Sequence, residues 1–186
     1  TLLVVGLGNP GDRFAGTRHN VGCEVVAAVA AARSITLHKA FLRPYEWSGS
    51  ASDPVLARPL TYMNHSGAVI PSLLRRTRSS VSSLIVVCDN LDLPAGSVRL
   101  KRKGSARSHN GLASIMEVLG TGEFMRLYVG IGRPAAGASV VDHVLSAPAP
   151  EELALYEDAV ERAAWAIQEL LTAPPETVMN TLNSRA

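Results

Sequence analysis

A histidine, an aspartate and three asparagines stand at the ends of separate apolar or helical stretches, and their types suit acid–base chemistry. His19 lies in GLGNPGDRFAGTRHNVG, a long polar loop after the apolar run Leu2–Gly8 that also carries Asn9, Arg18 and Asn20. Imidazole can accept a proton near pH 7 and return it later. A lone histidine at the start of a helix is more often a cap or a surface residue, so His19 needs a partner to be read as a base. The stretch CDNLDLP at 88–94 supplies one, because Asp89 follows directly on the apolar run SLIVVC. A carboxylate there can orient an imidazole and stabilise its protonated form. Local turn hydrogen bonding is the plainer use of Asp89 and Asp92. Asn64 in YMNHSG and Asn110 in SHNGL each open a helical stretch. Carboxamides donate and accept at once, so several converging on a cleft suit a substrate of amides and esters.

Other chemistries find less support. Gly6, Gly8 and Gly11 satisfy GxGxxG after a strand, but helical periodicity begins only near Val21, and residues 30–42 contain no acid to meet a ribose. A dinucleotide site needs a helix starting within the glycines and that acid about 20 residues on. No serine sits in GxSxG, and neither CxxC nor HExxH occurs. A covalent nucleophile, a metal and a cofactor are therefore not expected.

The elements that must position these residues alternate between strand and helix. Leu2–Gly8 and Ser83–Cys88 read as strands buried on both faces. Val21–Ala32 has helical length and an Ala-rich composition. Phe41–Gly49 and Pro54–Leu60 flank the turn-like residues 50–53 and suggest a hairpin. Asn64–Arg76 reads as a helix with Asn64 at its N-cap, although Pro71 interrupts it or marks a later start. In Ser97–Lys103 (SVRLKRK) the two-residue period puts Arg99, Lys101 and Lys103 on one strand face. Ser108–Leu119 reads as a short helix. Phe124–Gly132 reads as a strand with Arg126 and Tyr128 on a common face. Glu151–Leu171 is the longest amphipathic helix, bounded by prolines, and Glu176–Asn183 forms a last short one. The expectation is an α/β fold: a single domain over 1–186, built as a three-layer α/β/α sandwich around a twisted mixed β-sheet.

A chain of this length can bury roughly 70% of its unfolded surface without staples. Cys23 and Cys88 sit in apolar runs and read as buried thiols, which suits a reducing cytoplasm. No apolar run reaches the ~20 residues of a membrane span, and TLLVVGLG lacks the basic start of a signal peptide. The net charge of +2 conceals an asymmetry. Residues 96–133 hold seven Lys/Arg against two acids, whereas residues 134–186 hold two against eight. That pattern suggests a polyanion-facing surface beside a repelling one. A solvated charged face would give the same counts.

Taken in order, GLGNPG, TRHNVG, YMNHSG, CDNLDLP, SHNGL and VGIGRP over roughly the first 135 residues closely resemble the bacterial peptidyl-tRNA hydrolase family. Members cleave the ester joining a stalled peptide to the 3′ ribose of tRNA. The resemblance implies that His19 is the general base for a water and Asp89 its partner. It implies that Asn9, Phe14 and Asn64 bind substrate at the cleft and that Asn110 orders it. Lys101 matches the family's phosphate-binding lysine, and Arg99, Lys103, Arg107 and Arg126 extend the expected tRNA-binding set. The implied partner is peptidyl-tRNA, without a membrane, and the implied form is a cytoplasmic monomer.

Several positions depart from the family pattern. Asn90 stands in CDNLD where the family usually shows HDELD, and Phe14 where it commonly has Tyr. Gly104–Ser108 replaces a glycine-rich run. Tyr128 occupies the place of an arginine that often partners the lysine, leaving Arg126 or Arg107 to stand in for it. The altered loops around Asn90 and Arg107 keep open an RNA-binding relative that keeps the cleft but not turnover, and an esterase of small acyl esters is a third reading.

Overall fold

The computed structural model describes residues 1–184; Arg185 and Ala186, the last two positions of the expected domain, lie outside the described residues. Seven strands make one mixed sheet: β1 (Leu3–Gly6), β2 (His38–Lys39), β3 (Tyr45–Trp47), β4 (Val55–Pro59), β5 (Leu84–Asn90), β6 (Val98–Lys101) and β7 (Met125–Gly130), in the order β2-β3-β4-β1-β5-β7-β6. β1 pairs parallel with β4 and β5, and β5 pairs parallel with β7. β3 pairs antiparallel with both β2 and β4, and β6 runs antiparallel to β7. The parallel centre explains why β1, residues 84–88 of β5 and β7 apart from Arg126 are mainly apolar: both of their faces are covered.

Helices α1 (Val21–Ala32), α5 (Leu153–Glu169) and α6 (Pro175–Asn183) pack on one face of the sheet, joining Val25, Val29, Ala159, Ile167 and Val178 to Val4, Ile85, Val87 and Leu127. Helices α2 (Ile70–Thr77) and α3 (Asn110–Leu119) cover the other face, where Ile70, Leu73, Leu112 and Ile115 meet Leu3, Val5, Leu84 and Val86. The result is the expected α/β/α layering. A short helix α4 (Val140–Val144) lies in the connection from β7 to α5.

Three local expectations change. The helix read over 64–76 begins as a 3₁₀ segment, Met63–Val69, and passes into α2, with Pro71 in the first α-helical turn. Proline is tolerated there because its missing N–H would have had no partner. Asn64 therefore lies inside the 3₁₀ segment and does not cap the helix. β6 ends at Lys101, so Lys103 falls past the strand and outside the stripe formed by Arg99 and Lys101. α4 carries too short an apolar pattern to stand out in the sequence.

Close backbone approach sets where the site lies. A Cβ on Gly22 would stand 2.3 Å from the Val87 carbonyl oxygen, and one on Gly6 2.3 Å from that of Gly22. The first turn of α1 thus rests directly on β1 and β5, bringing the loop that ends in His19 over the carboxyl end of β5. The chain leaves β1 toward β4 and returns to β5 on β1's other side, so this end of the sheet is also where strand order reverses, a usual place for a ligand crevice.

Candidate active site

His19 sits in the 3₁₀ turn Arg18–Asn20 at the head of α1, and Asp89 is the penultimate residue of β5. His19 Nδ1 lies 2.9 Å from both carboxylate oxygens of Asp89. The sequence-based site set did not include His109, whose Nε2 lies 2.9 Å from Asp89 Oδ1. Asp89 is 2% exposed, and the His19 and His109 side chains are 12% and 11% exposed. Burial works to raise the proton affinity of Asp89, but the charge and hydrogen bonds of His109 and His19 outweigh it and hold the carboxyl well below the usual range. Asp89 is therefore ionised and can only accept.

That single fact orders the protons. An acceptor-only carboxylate takes an N–H from His19 Nδ1, which leaves the lone pair of His19 on Nε2. His109 is wired the other way round. It is the N-cap of α3, and its Nδ1 accepts from the backbone N–H groups of Gly111 (3.1 Å) and Leu112 (3.2 Å). Its proton must then lie on Nε2 and be donated to Asp89. The two rings stand 5.1 Å apart, yet only His19 keeps a nitrogen lone pair outside this network. The signal for His109 was visible in SHNGL, where a histidine precedes the helix-opening asparagine, but its second bond comes from β5, about 20 positions away in sequence.

The donor atoms of His19, Asp89 and His109 lie within 4.8 Å of one another, a spacing that a cation could also bridge. Binding one would displace the protons that both imidazoles donate to Asp89.

A cavity of about 200 Å³ opens beside the triad. His19, Asp89, Arg107, Asn110 and Tyr128 share its wall with Val140, Val141 and Val144 of α4. Arg18 ties that α4 wall to the loop that carries His19. Its guanidinium donates to the Ser146 hydroxyl (2.7 Å) and the His143 carbonyl (3.1 Å) and pairs with Glu152 at 3.2 Å.

The remaining predicted residues are spread around this centre. Asn9 borders a neighbouring cleft. Its Oδ1 accepts from the Met63 N–H (2.7 Å), and its backbone exchanges two 2.9 Å bonds with the Asn20 side chain. The Asn9 Oδ1 is thereby committed, which leaves its carboxamide nitrogen as the side-chain donor. Phe14 packs edge-on against Tyr62 at 6.3 Å, and Asn64 is exposed next to Met63. Neither lines the cavity that holds His19 and Asp89.

Among the basic residues, Arg126 requires correction. It is fully buried, stacks 4.4 Å over Phe124, and donates to the carbonyls of Ser105 (3.0 Å) and Gly122 (2.6 Å). It staples two loops from inside and presents nothing to a polyanion. Strand alternation put it on the right face, but α3 and the loops around it cover that part of the sheet. Arg99 and Lys101 lie in register with Tyr128 and Arg126 on the edge strand β6 and remain outward. Arg102 bonds Glu176 (2.7 Å), and Lys103 stands 3.8 Å from Glu123. Part of the charge asymmetry is thus neutralised within the molecule.

The family model for peptidyl-tRNA hydrolase matches residues 3–186. The peptidyl-tRNA hydrolase of Dehalococcoides mccartyi strain BAV1 is 46% identical over 186 residues, covering 97% of this chain and 98% of that protein. The Bacillus subtilis (strain 168) protein of the same name is 41% identical over 186 residues, covering 99% of both. A crystal structure of peptidyl-tRNA hydrolase from Acinetobacter baumannii superimposes with a TM-score of 0.91 at 32% identity, covering 98% of this chain and 94% of that one.

Proposed function

The chain belongs to the peptidyl-tRNA hydrolase family, and we propose that it hydrolyses peptidyl-tRNA by general-base activation of water at His19, releasing free tRNA and peptide. The observation that carries this reading is the opposite wiring of the two imidazoles on Asp89. His109 has both nitrogens committed, whereas His19 holds Nδ1–H on Asp89 and leaves Nε2 free toward the cavity.

A water bound at Nε2 gives its proton to His19 as its oxygen attacks the ester carbonyl. Asp89 steadies the imidazolium, the role it has in triads generally. The carbonyl oxygen becomes an oxyanion, which the amides near the cleft can meet as donors, Asn110 from the cavity wall and Asn9 through its uncommitted carboxamide nitrogen. Collapse expels the ribose oxygen, which takes the proton back from His19 Nε2, leaving a carboxylic acid that ionises in water. Phe14 and Asn64 would hold the peptide farther along the cleft.

The tRNA would lie across the β6 edge, meeting Arg99 and Lys101, with Lys103 at its margin. No helix among the described residues is long and apolar enough to cross a membrane. The free thiols suit a reducing cytoplasm, where the protein would act as a monomer.

Peptide release from purified peptidyl-tRNA tests the reading directly. The protein should turn over, and His19→Ala should lower kcat by about a hundredfold or more while tRNA affinity and circular dichroism stay unchanged. Retained activity in that variant would remove His19 from the mechanism. Absence of turnover in the unaltered protein would leave an RNA-binding relative, and cleavage of small acyl esters without competition from uncharged tRNA would indicate a general esterase.

A further inference from the structure

The loop from β6 to α3 turns through Arg107 in the left-handed region, at φ +48°. Glycine adopts that conformation without steric cost, whereas a side chain bearing Cβ is uncommon there. An arginine held so raises the question of what its side chain does. Arg107 is exposed and, among the described residues, is the one arginine or lysine lining the cavity beside His19 and Asp89. Its positive charge is felt at the Tyr128 phenol on the same wall.

The neighbouring cations are committed elsewhere. Arg126 serves two backbone carbonyls, Arg102 serves Glu176, and Arg133 serves Asp92 at 2.7 Å. Arg107 forms no ion pair among the described residues. An unpaired guanidinium on the wall of a site that must admit a polyanion is suited to a phosphate oxygen, to which it can offer two parallel N–H donors.

Position selects which phosphate. A substrate with its ester carbonyl at His19 Nε2 carries the phosphodiester of the same terminal nucleotide one ribose away, within the cavity rather than out along β6. We propose that Arg107 binds the phosphodiester of the 3′-terminal nucleotide, gripping the substrate beside the scissile ester and separately from Arg99 and Lys101. This rests on the reading of the chain as a peptidyl-tRNA hydrolase.

The test crosses one protein change with one substrate change. Peptidyl-tRNA is made with either the natural terminal linkage or an uncharged methylphosphonate there, and each is offered to the unaltered protein, to Arg107→Gln and to Arg107→Lys. Removing the charge on either side should lower kcat/KM about tenfold, the worth of one charge-assisted contact. Removing both should cost no more than removing one, and Arg107→Lys should recover part of the loss on the natural substrate. Additive losses, or no loss with Arg107→Gln, would overturn the proposal. Because the unaltered protein is assayed on the natural substrate in the same experiment, absence of any peptide release there marks failure of the hydrolase reading itself, and the proposal falls with it.

Discussion

His19 and His109 share one carboxylate but cannot exchange roles, because the head of α3 claims Nδ1 of His109. Replacing His109 with asparagine, itself a good helix cap, should keep α3 while removing the N–H that Asp89 receives. We expect kcat to fall about tenfold with little change in melting temperature, since an orienting bond is lost and the base is kept. Asp89 also links the site to stability. Its carboxyl is held below its unfolded value, so the stabilisation is fully present above the ordinary carboxylate range, begins to be lost as pH falls into it, and goes on being lost down to the depressed folded-state value. Urea midpoints should therefore drop between about pH 5 and pH 3 more steeply for the unaltered protein than for Asp89→Asn, which has no proton to gain. The thiols carry a simpler expectation. Burial, against a smaller opposing pull from Arg58, pushes Cys23 up to about 12, and burial raises Cys88 well above the usual thiol range. Neither should be alkylated in the native protein at pH 8, whereas both should react after unfolding.

At the level of elements, the site depends on how closely α1 rests on the sheet. A methyl group on Gly22 would meet the Val87 carbonyl, so Gly22→Ala must lift the helix and with it His19. A loss of about 1–3 kcal/mol in urea unfolding is expected, accompanied by lower kcat. The basic residues of β6 and β7 divide in the same terms. Arg126→Ala should cost about 3 kcal/mol or more, because a fully buried guanidinium and its two charge-assisted bonds to backbone carbonyls disappear. The protein that remains folded should bind tRNA normally. Lys101→Ala should do the reverse, weakening tRNA binding while leaving the unfolding midpoint in place. Paired binding and unfolding curves for the two variants check this division.

Over the whole molecule, the outward cations of β6 form a patch at the edge of the sheet, while Glu176, the one acid of α6, neutralises part of its flank through Arg102. Cations on an edge strand also discourage edge-to-edge association. The two uses part with salt: tRNA affinity should fall linearly on a log–log plot as salt rises, and its slope should shrink when Arg99 and Lys101 are replaced together. A strand edge kept merely soluble would show no such dependence.

Local pattern alone determined the layering of this protein. Apolar runs ending in polar loops made β1 and β5 central strands, the Ala-rich stretch from Val21 made α1, and both changes of course placed His19 and Asp89 at strand or helix ends. Those are properties of neighbours along the chain, and the chain displays them. What only the tertiary structure decided concerns partners distant in sequence. Period-two alternation put Arg126 beside Tyr128 on one face, but whether that face is open at residue 126 depends on the loops at 104–105 and 122 that fold over it. His109 belongs to the site because β5 ends where α3 begins, a meeting that no spacing within SHNGL encodes. The commitment of His109 Nδ1, on which the proposal of His19 as the base rests, comes from two backbone N–H groups that exist as free donors only once α3 has formed.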